Sequence, residues 1–165
     1  MPAARTAASH PPARQRGVAA VEFAVLVFVL LLVGAGLVEF GRTLWYYNAL
    51  AKGTRDAARY LSTVPAGTLG SQTATARNIV VQAATAALVP GFSSANVSAV
   101  CAPTACASVV QPSDVTQVTV SASFPLSVGA LFPFVASGGD GYPFAPGASG
   151  NALTLTPHTT MPYMW

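Results

Sequence analysis

Few side chains in this chain can do chemistry. Its 165 residues hold two cysteines, two histidines and five carboxylates. Cys101 and Cys106 stand in CAPTAC, between two strand-like runs. Two thiols can pair or hold a metal. A metal needs further ligands, and the segment has no nearby histidine and no second cysteine pair. Pairing is therefore favoured, and it implies an oxidising compartment with the carboxy-terminal half exported. Asp140 sits among glycines in SGGDGYPFAPG, where a turn residue is the ordinary reading, and a calcium site needs more oxygen donors. HExxH, Walker, GxSxG and DxDxDG patterns are absent from the sequence. His10 falls in a polar amino-terminal stretch and His158 reads as a surface residue. No enzyme, cofactor or metal is expected. The formal charge of +3 comes from Arg5, Arg14 and Arg16, because from Val18 onward basic and acidic residues balance. A phosphate-tracking surface needs a clustered basic face, so no nucleic-acid partner is expected.

Glu22 is the carboxylate with an unusual setting, because an apolar run follows it. Phe23 to Val38 (FAVLVFVLLLVGAGLV) carries no charge, and Val18–Val21 extend the run on the other side of Glu22. About twenty apolar residues cross roughly 30 Å of hydrocarbon as a helix. The large apolar residues of Phe23–Val38, at about −0.3 to −0.6 kcal/mol each, outweigh one carboxylate costing at most about 3 kcal/mol at the bilayer centre. The segment is expected to insert. Arg14 and Arg16 beside its amino-terminal end favour keeping that end cytoplasmic. The run is longer than a secretory-signal core and continues without a small-residue cleavage site into a helix-forming stretch.

Residues Arg14–Ala24 read RQRG-VAAVEFA: a basic leader ends in Gly17, the apolar helix begins at Val18, and Glu22 is fifth after the glycine. This arrangement resembles the cleavage site of type IV prepilins. The resemblance implies a cut at Gly17|Val18 by a membrane-embedded prepilin peptidase on the cytoplasmic side. Glycine would let an extended backbone enter a narrow active site. It also implies that Glu22, expensive in a membrane helix unless paired, meets the freed amine of Val18, on its own or a neighbouring helix. Otherwise Glu22 is a carboxylate snorkelling at the membrane surface. A more specific resemblance rests on AAVEFA at Ala19–Ala24, VEFGR at Val38–Arg42, NAL at Asn48–Leu50 and RDAARY at Arg55–Tyr60. Together these resemble the amino-terminal domain of the TadE-like family, pilin-like proteins of the tight-adherence (Tad/Flp) pilus system. The family implies a minor pilin or pseudopilin acting in pilus assembly or surface adhesion. Its partners would be the prepilin peptidase, other pilin subunits, inner-membrane assembly proteins and membrane lipid. Its place would be the bacterial inner membrane, with a single span and an exported head. The competing functions are a permanently anchored exported binding module, or a pseudopilin of a related secretion machine.

The elements that must position these residues follow from the pattern. Residues 1–17 read as a leader, 18–62 as one long helix with the span at about 18–38, and 63–165 as a small exported head. About 45 helical residues reach about 67 Å, twice the bilayer core, so the helix is expected to project. Phe23, Leu26, Leu30, Val33, Leu37, Phe40, Leu44, Tyr47, Ala51, Thr54, Ala58 and Leu61 keep the three-four spacing of a packing seam. Lys52, Arg55, Asp56 and Arg59 lie off that seam and read as a solvated face. Ser71 to about Val89 predicts a second helix stopped by Pro90-Gly91. Strands are expected at about Asn96–Cys101, Ala107–Gln111, Val115–Phe124 and Asn151–Thr156, with Pro125–Gly150 a long loop. The expected fold class is α+β: a long transmembrane, pilin-like helix followed by a small head with one further helix and an antiparallel sheet.

Overall fold

A computed structural model of the chain describes residues 14–125 and 154–165. The first thirteen residues, Asp140, nearly all of the expected Pro125–Gly150 loop and the start of the Asn151–Thr156 strand lie outside the described residues. The element order is helix α1 (Arg14–Ser62), helix α2 (Leu69–Ala86), strands β1 (Val97–Pro103), β2 (Val115–Ala122), β3 (Phe124–Pro125), β4 (Thr154–Leu155) and β5 (His158–Pro162). The α+β class and the antiparallel sheet match the sequence expectation. The chain divides into two units, Met1–Val38 and Glu39–Trp165.

In the first unit the described residues are all helical, and from Val18 to Val38 nearly every large apolar side chain is exposed. In the second unit the rest of α1 is a core element. Leu50, Thr54, Ala57, Ala58, Leu61 and Ser62 are fully buried. The buried stripe runs through Tyr46, Leu50, Gly53, Ala57 and Leu61, and differs from the expected seam. Thr54, Ala58 and Leu61 are buried as read, while Phe40, Leu44 and Tyr47 are exposed and Ala51 is half-buried. The reason is that small residues, not large ones, set the contact. A Cβ on Gly53 would stand 2.9 Å from the Ala83 Cβ and 3.3 Å from the Val80 Cα, so the α1 and α2 backbones approach closely at this point. On another side Thr54 donates to the Ala51 carbonyl and its hydroxyl lies 3.3 Å from the Thr159 hydroxyl of β5.

Helix α1 meets no proline until Pro65 and closes with tighter bonds, Thr63 N–H to Tyr60 and Val64 N–H to Leu61. The carbonyls left over are taken by residues just past β5. Met164 N–H donates to Ser62 at 3.1 Å, the Tyr163 hydroxyl to Val64 at 2.6 Å, and the Trp165 indole to Thr63. Burial raises the Tyr163 phenol above its ordinary 10.0, consistent with a hydroxyl that serves as a donor. Helix α2 starts at Leu69, two residues before the expected Ser71, because a 3-10 turn at Ala66–Thr68 follows Pro65 directly. It ends at Ala86 and not Val89. Leu88 takes a left-handed conformation (φ 58°), so its N–H reaches Thr85 and the Val89 N–H reaches Ala84.

The main sheet has the order β1-β2-β5, all antiparallel, and β3 pairs with β4. Val97, Cys101, Val118, Val120 and Ala122 face the core. The opposite face carries Ser98, Ser121 and His158 in one row, and Val100, Thr119 and Thr160 in the next. The expected single strand Val115–Phe124 is broken at Ser123, whose N–H turns to the Asn96 carbonyl. The expected strand Ala107–Gln111 is not one. Cys106–Ser108 is a 3-10 turn and Pro112–Asp114 another, because the Cys101–Cys106 link draws Cys106 back toward β1. Strand β5 was not expected, since HTTMP has little apolar content. It gains its place by pairing with β2 and by burying Thr159 and Met161 partly on the core side.

The Gly53 contact gives a stability prediction. Gly53→Ala adds helix propensity worth about 1 kcal/mol but overpacks the crossing, which costs about 1–3 kcal/mol. A net loss of about 1 kcal/mol is expected in denaturant unfolding of the full chain in detergent micelles. Ala83→Gly in the same chain should show a favourable coupling of about 1 kcal/mol with it. Additive effects would mean that the two helices simply move apart.

Candidate functional site

The residues read as a processing site lie on α1. Gly17 is the fourth residue of the helix and not the end of an extended leader. A Cβ on Gly17 would meet nothing within 4 Å, so packing does not require glycine there. Val18 is exposed, and Glu22 is exposed one turn further on, on the same side of the helix. Among the described residues Glu22 has no ion-pair partner. A free amine at Val18 would therefore stand one helical turn from an unpaired carboxylate.

The second candidate pair lies in the other unit. Cys101 in β1 and Cys106 at the start of its 3-10 turn are joined by a disulfide, with Cα atoms 4.9 Å apart, and both are buried. The turn that follows sits against α2. A Cβ on Gly70 would stand 2.9 Å from the Ala107 Cα. The disulfide thus holds a backbone segment where glycine alone allows α2 to approach it. Further along, the Asp114 carboxylate accepts from the Val110 and Gln111 N–H groups at 3.1 and 2.9 Å. The Gln111 bond, then the Val110 bond, hold its pKa below the ordinary 3.8. Among the described residues no cluster of three His, Cys, Asp or Glu could hold a metal.

Sequence reasoning passed over a third constellation at the start of the second unit. Glu39 is 5% exposed. Its Oε1 accepts from Arg42 Nη2 at 2.7 Å, while its Oε2 is buried with no hydrogen-bond partner among the described residues. Arg42 also lies 5.9 Å from the Tyr46 ring centroid, and Tyr46 packs edge-on against Phe124 at 5.9 Å. The acid-to-base spacing of three in VEFGR was the available signal. Lys52, Arg55, Asp56 and Arg59 are exposed, as expected of a solvated face.

The disulfide carries a measurable share of stability. Closing so short a loop should be worth about 2 kcal/mol, so Cys101→Ala/Cys106→Ala should lose at least about that much in denaturant unfolding. Protein purified without reductant should show no alkylatable thiol by mass spectrometry.

No curated protein and no solved structure matches the chain. Residues 17–59, from Gly17 through Arg59 of RDAARY, are similar to the family described as TadE-like protein.

Proposed function

We propose that the chain is a minor pilin or pseudopilin of a tight-adherence-type pilus, anchored by one membrane span and acting in pilus assembly or surface adhesion. The supporting observation is the coincidence of two facts on one segment. The TadE-like match covers 17–59, and within it α1 carries a run of mean hydropathy 2.7, none of it buried by the chain itself. The leader is removed at Gly17|Val18 by a prepilin peptidase on the cytoplasmic side, and the freed Val18 amine pairs with Glu22. The disulfide suits an exported head. Other pilin subunits and inner-membrane assembly proteins are the partners, and the span makes contact with lipid.

The amino terminus of the membrane-purified protein tests this reading. Cutting at Gly17 should remove about 1.8 kDa with the product retained in the membrane, whereas secretory cleavage would cut beyond the apolar run and release a soluble head. Gly17→Leu should block the first and leave the second. An uncut chain would return the protein to a permanently anchored module.

Glu22 is tested separately. Glu22→Gln keeps the shape and removes the charge, so cleavage should persist while incorporation into pili falls roughly tenfold, through loss of a charge-assisted contact in low dielectric. Quantitative immunoblotting of sheared pili reads the difference. Wild-type incorporation would identify Glu22 as a snorkelling carboxylate.

A further inference from the structure

The character of α1 changes at Glu39. From Val18 to Val38 the helix has no Trp or Tyr, whereas Phe40, Trp45, Tyr46 and Tyr47 all fall in the next eight residues after Glu39. Most of these side chains are left uncovered: Phe40 is 63%, Leu44 46%, Trp45 64% and Tyr47 41% exposed. Tyr46 alone turns inward, to Phe124. Among the described residues the Trp45 indole N–H and the Tyr47 hydroxyl donate to nothing.

The distribution around the helix narrows what covers them. At about 100° per residue, Phe40, Leu44 and Tyr47 share one side and Trp45 lies about 100° or more away from them. The uncovered groups therefore surround the helix on sides other than that of Tyr46. A single docked protein covers one side of a helix, while a lipid layer surrounds it. Trp and Tyr prefer the headgroup level, where the ring is sheltered and the N–H or O–H stays wet. The charges fit as well. Glu39 and Arg42 neutralise one another at the boundary, and Arg42 uses one donor on Glu39 while its side chain stays 40% exposed. Its remaining donors are suited to phosphate oxygens.

We propose that the Phe40–Tyr47 stretch of α1 lies in the phospholipid headgroup layer on the exported side, with Trp45 and Tyr47 as interfacial anchors and Arg42 donating to lipid phosphate. This rests on the reading of 18–38 as a membrane span, and the test separates the two.

The chain holds two tryptophans, Trp45 and Trp165. Trp165→Phe leaves Trp45 as the sole reporter in the full-length protein. The protein is reconstituted in phosphatidylcholine–phosphatidylglycerol vesicles containing lipids brominated either near the headgroup or near the chain ends. Trp45 emission should fall about twofold further with the shallow bromines than with the deep ones. A second variant, Trp45→Phe/Trp165→Phe/Val29→Trp, should show the reverse order. If Trp165→Phe disturbs the fold, the difference between wild type and Trp45→Phe reports the same signal. Deep quenching of the Val29→Trp reporter with no lipid quenching of Trp45 would overturn the proposal and leave the span intact, with protein covering the aromatic residues instead. Loss of deep quenching at position 29 would overturn both.

Discussion

An apolar helix left bare among the described residues has to be covered by something else. Twelve large apolar residues occupy Phe23–Val38, and nearly all are exposed. At about 1.5–3 kcal/mol for each side chain kept from water, covering them is worth on the order of 20 kcal/mol. That exceeds the roughly 5–15 kcal/mol that holds a whole domain together. The covering medium therefore decides the state of this protein more than any contact inside it. A helix can be passed between lipid and protein surroundings without loss of backbone hydrogen bonds, because all of them are made within the segment.

The same helix meets the opposite requirement after Glu39. There the side chains that matter become small. Ala57 and Ala58 are buried, and α2 closes on Gly53 to a distance that a single methyl group would fill. Thr54 ties the helix to β5 through its hydroxyl, and the residues after β5 satisfy the carbonyls at the end of α1. β5 is held on one edge by β2 and its continuation is fixed on the helix end. A change from large exposed residues to small buried ones, along one unbroken helix, is thus what separates the bare apolar part from the part that organises a core.

Most of this was legible from residue types. The long apolar helix, the second helix, the inward set Val118, Val120, Ala122 and Phe124, and the α+β class follow from hydrophobic period and composition. The misreadings share a cause. The seam was drawn through large apolar residues, Phe40, Leu44 and Tyr47, whereas burial followed Gly53 and Ala57, whose close approach no hydrophobicity pattern reports. Ala107–Gln111 has the composition of a strand, but the Cys101–Cys106 link and the Asp114 side chain take that segment into turns. Strand β5 is polar on one side and thin on the other, so only its pairing with β2 identifies it. The Glu39–Arg42 pair was visible as a spacing, but its burial was not.

The helical state of Gly17 bears on where such a chain can be cut. A peptidase needs extended backbone, so the helix must open at the scissile bond. The first turn carries the fewest intrahelical bonds, and glycine there lowers helix stability by about 1 kcal/mol relative to alanine. Opening the helix a few residues later would expose backbone groups at the edge of hydrocarbon, where each unsatisfied group costs several kcal/mol. Glycine just before the apolar run is therefore the least costly place to unwind. A cut there would also create a new charge. An amine at a helix amino terminus stands at the positive end of the dipole, unfavourable by about 0.3–1 kcal/mol even at an exposed surface. Glu22, one turn in and unpaired among the described residues, is the nearest carboxylate able to offset it, so the position that is easiest to open is also the one whose product this sequence can neutralise.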